Sequence, residues 1–201
     1  MDYCPVDLHH FIEEIGSISE NNFIQHAYFM LQSIKTIHNQ KICHKRINPS
    51  KFLFDKYGRV LLSNFSSSKQ YNAGKNDELE FSRAKAIDIW CIGETFYYMV
   101  TGIHITQLYD SQEIAMTKDY SLIKYPRGLS KDCIALISSC LNCIVKSCPS
   151  IEDLLRNPIF ANISTSYFDL SKKHSFSLNK SHGSLNFTVK PVLTKKLIPI
   201  I

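Results

Sequence analysis

Behind Ser19 the apolar residues fall at helical spacing. Phe23, Ala27, Leu31 and Ile34 share one face, with Ile24, Tyr28 and Ile37 beside it, which predicts a helix opened by the serine. The pattern then changes to short apolar triplets. Phe52-Leu53-Phe54, the polar turn Asp55-Lys56-Tyr57-Gly58 and Val60-Leu61-Leu62 predict a small hairpin in which Gly58 supplies a positive φ. From Ile87 to Val100 the chain is apolar almost all round, Glu94 being the sole charge after Asp88, so this stretch predicts a helix buried in the middle of a domain. Ser150, with Asp153 three residues on and Leu154 and Leu155 following, signals a capping box, and Asn157-Pro158 ends that helix. Asp7 reads as a helix-start carboxylate. Past residue 160 no apolar period is evident.

Bulk properties add limits. A chain of 201 residues with 44% hydrophobic content suits one domain with its own core plus a tail. No apolar run reaches membrane-spanning length. Asp2 and Asp7 stand where a secretory signal would carry basic and apolar residues, so an intracellular setting, cytoplasmic or nuclear, is expected. Seven cysteines, an odd number, point the same way, toward reduced thiols. Cys140 and Cys143 are spaced C-x-x-C with Cys148 beyond, but no second ligand pair stands at zinc-finger spacing, and no metal site is expected. The net charge of +5 lies wholly in residues 161–201, where six Lys oppose the single Asp169; residues 1–160 balance at 17 cations and 17 anions. That tail, rich in Ser and Asn, is read as basic and disordered, with Phe168, Phe176, Phe187 and Leu197-Ile198-Pro199-Ile200-Ile201 as conceivable docking anchors. Its charge is too small and dispersed to argue for nucleic acid.

The eleven residues His44-Lys45-Arg46-Ile47-Asn48-Pro49-Ser50-Lys51-Phe52-Leu53-Phe54 carry the most information. They resemble the catalytic loop of the Ser/Thr protein kinases, H-R-D-x-K-P-x-x-N followed by apolar residues. Asn64-Phe65-Ser66 stands ten residues on, where that family has Asp-Phe-Gly. Asp88-Ile89-Trp90-Cys91-Ile92-Gly93 is similar to the D-x-W-x-x-G of the central helix, and Thr101-Gly102 to the turn closing it. Leu129 to Cys133 with Cys140-Leu141, and Pro149-Ser150-Ile151 through Asn157-Pro158-Ile159-Phe160, resemble the last two helices. Met1 to Pro5 looks like the segment joining the two kinase lobes. The resemblance covers residues 1–160 and leans toward the calmodulin-dependent and AMP-activated branch.

The resemblance implies a mainly α, kinase-like C-terminal lobe with a short β-hairpin and the N-terminal lobe absent. The Gly-rich lid, the strand Lys and its helix Glu would all precede Met1. It also implies altered chemistry. Arg46 replaces the proton-accepting Asp, Asn48 the phosphate-contacting Lys, and Lys51 and Asn64 the two metal ligands. A guanidinium offers no lone pair for a proton. Cys148 replaces an Arg before the last helix, and the Glu that would pair with it is unrecognisable between Asn72 and Glu80, in a segment shorter than usual. His44, Phe65, Asp88 and Trp90 persist as packing and loop-shaping residues, and His38 reads as a hydrogen-bonded core histidine. Lys45, Arg46 and Lys51 form a candidate anion site. ATP and magnesium, the family's cofactors, are therefore not expected to be used. The expectation is a non-catalytic interaction module, a pseudokinase. Its protein partner, or a second copy, would meet an apolar face near Met1, Tyr3, Leu53 and Phe65. Two alternatives stand beside it: a kinase completed by a separate N-lobe, and a decaying gene product.

Overall fold

The structure is a computed structural model that describes residue 4 and residues 6–55, 58–72, 74–108, 123–163, 174–181 and 184–191. Asp7 caps the first helix, α1 (Leu8–Ile15), its carboxylate accepting the His10 amide at 2.9 Å. Ser19 opens the long helix α2 (Glu20–Asn39), which buries Phe23, Ala27, Leu31 and Ile34 as its period requires, along with His26, Met30 and His38. The triplets form β3 (Phe52–Phe54) and β4 (Val60–Leu62), antiparallel with Leu53 opposite Leu61. Their turn is fastened by Asp55, 1% exposed, which holds the Arg59 guanidinium and backbone amide. The two-residue strand β1 (Val6–Asp7) pairs with β3, making a three-stranded sheet where the sequence predicts a hairpin alone. Two residues are too few to show a period.

The central helix is longer than its apolar stretch. α3 runs Lys75–Thr101 and begins about three and a half turns before Asp88. Gly74 at its N-cap contributes no capping side chain, so nothing in the sequence marks that start; Asp77 and Glu78 in the first turn favour it through the helix dipole. The helix is buried through Ile89, Ile92 and residues 95–100, but Ile87 remains 50% exposed, a correction to burial from Ile87 onward. Gly102 ends it at φ 71°, and a Cβ there would lie 2.0 Å from the Gly16 carbonyl oxygen, so both conformation and space demand glycine. The short helix α4 (Ile105–Leu108) follows.

α5 (Lys131–Leu141) packs on α3 at Gly93, where an added Cβ would lie 2.6 Å from the Cys140 Cβ. The short α6 (Ile151–Leu155) has the reciprocal capping box that Ser150 and Asp153 predict. A single core joins α1, α2, α3, α5 and α6, with Phe11, Phe23, Phe52, Phe54 and Phe96 fully buried.

Residues 174–181 (β6) and 184–191 (β7) form an antiparallel hairpin, Phe176 opposite Val189 and Leu178 opposite Phe187. The register explains it: Phe176 and Leu178, then Leu185, Phe187 and Val189, alternate with polar residues at the strand period of two, a signal hidden by the basic composition. Phe168 and residues 197–201 lie outside the described residues, as do Met1, Tyr3, Lys56 and Tyr57.

Candidate functional site

Asp88 organises the loop that starts at His44. It is fully buried, and its two oxygens receive three donors: His44 N at 2.9 Å, Lys45 N at 2.7 Å and His38 Nε2 at 3.0 Å. Because a carboxylate only accepts, His38 carries its proton on Nε2. Lys45 sits at φ 65°, a left-handed conformation held by the hydrogen bond that its backbone N–H donates to Asp88. Removing the carboxylate would leave buried donors without partners, an outcome costing about 1–3 kcal/mol for each such group.

His44 is the second fixed point. Its Nε2 donates to the Ser63 carbonyl at 2.9 Å, and its Nδ1 accepts the Arg46 amide at 3.3 Å. That pattern specifies the neutral Nε2–H tautomer. Phe65 meets the imidazole edge-on at 5.1 Å while remaining 42% exposed. The loop is thus braced from behind through Asp88 and from below through Ser63. Trp90, half-buried, packs against the main core from α3.

The architecture has counterparts. No protein-family model matches the chain. Among curated proteins it is 25% identical over 167 residues to sperm motility kinase Z of Mus musculus, covering 75% of this chain and 33% of that one. It is 25% identical over 203 residues to a probable serine/threonine-protein kinase of Dictyostelium discoideum, covering 90% of this chain and 40% of that one. With the serine/threonine-protein kinase pim-2 of Danio rerio it shares 24% over 186 residues, 83% of this chain and 57% of the other. A crystal structure of the Rad53 kinase domain and SCD2 in complex with AMPPNP superposes with a TM-score of 0.63 at 20% identity, covering 82% of this chain and 68% of that one. The chain is protein-kinase-like. It spans between a third and just over half the length of these curated relatives.

Within the kinase-like frame, the positions that differ from the motif are built differently from the brace. Arg46 and Lys45 are exposed, Lys51 is half-buried, and among the described residues none of the three forms an ion pair. Asn48 shapes the loop: its Oδ1 accepts the Ser50 amide at 3.0 Å and its Nδ2 donates to the Arg46 carbonyl at 3.4 Å. Lys51 contributes its carbonyl, which receives the Ser63 amide and hydroxyl at 2.8 and 3.0 Å. Asn64 occupies a left-handed conformation, φ 61°, that asparagine tolerates well, and its Oδ1 accepts the Ser66 hydroxyl at 2.7 Å.

The segment between Asn64 and α3 is folded down rather than open. The strand β5 (Lys69–Gln70) pairs antiparallel with β2 (Ile42–Cys43). Tyr71 then packs with Phe81, Ala84 and Cys43 in a small second core. The extra turns of α3 supply Phe81 and Ala84, so the helix extension and the collapsed segment are one structural event. Lys69 and Glu80 close it with a 2.6 Å ion pair.

Two cysteine findings were not evident in the sequence. His38, Cys43 and Asp88 place their ligand atoms within 4.8 Å of one another, a grouping of side chains far apart in the chain. Burial, reinforced by the Asp88 charge, pushes the Cys43 thiol up to about 12, so it stays protonated. The carboxylate is already occupied by its three donors. Cys143 is disulfide-bonded to Cys148, closing the connection between α5 and α6. The C-x-x-C spacing is therefore not a pair, because Cys140 is buried in α5 as a free thiol. A bridged cysteine pair also runs against the expectation of wholly reduced thiols. None of the helices in the described residues is long and apolar enough to cross a membrane.

Proposed function

We propose that the chain is a pseudokinase: a kinase-like scaffold that binds a protein partner and does not transfer phosphate. One observation carries the reading. The residues that hold the loop in place are intact and bonded, while the positions the motif gives to the base and the metal hold Arg46, Lys51 and Asn64. Arg46 cannot accept a proton, and a positioned base supplies about two to four orders of magnitude in rate. Magnesium needs oxygen ligands, and the residues here do not fit it. The Lys51 ammonium has no lone pair, and the Asn64 oxygen already accepts from Ser66.

The partner surface includes Phe65, and Leu61 is also open, the two being exposed to 42% and 38%. Large apolar groups left open on one side of a braced loop favour a protein partner or a second copy. An alternative follows from the fraction of its relatives that the chain spans: a nucleotide-binding half supplied by a longer or separate chain could restore activity. Phosphoryl transfer from labelled ATP tests the first reading. The purified chain with magnesium is expected to show none above background. Transfer that disappears on Arg46→Ala would overturn the proposal. For the partner surface, Phe65→Asp is expected to abolish self-association or capture of the partner.

A further inference from the structure

A second cationic region lies away from the exposed side chains of the His44 loop, in a cleft of about 430 Å³ between the end of α2, the early turns of α3 and the start of α6. Lys35, Lys41 and Lys85 line it. Lys41 Nζ stands 4.9 Å and Lys85 Nζ 4.8 Å from the centroid of the same ring, Phe81. One ring thus gathers two like charges that would otherwise repel, and holds both ammonium groups through its π face. Neither lysine forms an ion pair among the described residues. Glu152 is the one carboxylate in the lining, and it is taken by Lys35 at 3.5 Å. His38 also lines the cleft, but its Nε2 proton is given to Asp88.

We propose that this cleft binds a phosphomonoester dianion. Three lysines against one glutamate leave the lining two charges positive, which a dianion neutralises. Lysines bind phosphate as compact point charges. Ile89, Val145 and Ile151 give the cleft apolar walls, so an organic ester is favoured over a bare ion. The volume falls in the range of small-molecule sites, about 300–1,000 Å³. A phosphorylated side chain of a peptide and a free phosphate ester share this chemistry. The inference is independent of the pseudokinase reading, because it uses none of Arg46, Asn48, Lys51 and Asn64.

Isothermal calorimetry on the full chain tests it, with three probes: inorganic phosphate, a short phosphoserine peptide and the same peptide unphosphorylated. The phosphopeptide is expected to bind about tenfold or more tightly than its unphosphorylated twin, and more weakly as salt rises. Inorganic phosphate binding as well as the phosphopeptide would support the site and assign recognition to the phosphate alone. Changing Lys41→Gln and Lys85→Gln together is expected to weaken phosphopeptide binding about tenfold or more. Changing Lys45→Gln and Arg46→Gln together should leave it unaltered. Glu152→Gln, which releases Lys35, should tighten it. No binding of any phosphate probe, or an equal loss in the Lys45/Arg46 pair, overturns the proposal.

Discussion

The two sides of the His44 loop obey different rules. On the inner side, Asp88 accepts from His38, His44 and Lys45, and His44 in turn donates to Ser63. On the outer side, Lys45, Arg46 and Asn64 reach the surface, and Arg46 and Asn64 put a cation and an amide where the kinase motif has carboxylates. Burial explains the contrast. A change on the inner side strands a desolvated donor, whereas a change on the outer side alters only what water already solvates. Chemistry can therefore be lost from the outer face while the fold persists through the inner one.

The largest expected effect breaks the inner side. Asp88→Ala should destabilise the fold by about 3 kcal/mol, read as a lower denaturation midpoint, because two buried donors and one part-buried donor lose their acceptor. An unchanged midpoint would show that the loop is not held through this carboxylate.

A buried imidazole gives the next test. His26 lies in α2 near Phe54, and burial lowers its pKa from 6.5 to about 4. Between those values the unfolded chain binds the proton and the folded chain resists it, so stability must fall as pH drops from 6.5 toward 4. The loss should reach roughly 2–3 kcal/mol, and His26→Phe should remove most of that slope. A slope that persists in the variant would place the titration elsewhere.

Gly93→Ala probes the helix crossing behind the loop. Its new methyl would press on Cys140, and destabilisation of about 1–3 kcal/mol is expected by denaturant melts. At the small end, Arg46→Ala on the outer side should change stability by less than about 0.5 kcal/mol. A large loss there would erase the distinction between the two faces.

What the sequence revealed follows the same division. The helix behind Ser19, the Phe52–Leu62 hairpin, the apolar run after Asp88 and the Ser150 cap were all readable, since burial imposes a period and caps need particular side chains. The start of α3 at Lys75 was hidden because Gly74 caps without a side chain and Phe81 and Ala84 give too sparse an apolar face. The β6–β7 hairpin was masked by a composition rich in Ser, Asn and Lys, although its alternation was present. The Cys143–Cys148 bond, the grouping of His38, Cys43 and Asp88, and the two lysines on Phe81 depend on distances across the fold, which spacing along a chain does not encode. Asn48 was legible as a departure from the kinase motif, but its role in bracing the loop was not.

The central claim is that the brace remains while metal-dependent nucleotide chemistry does not. Thermal unfolding of the purified chain with ATP, with and without magnesium, tests it most directly. The account predicts the same midpoint in both conditions. A stabilisation by ATP that grows as magnesium is added would contradict it.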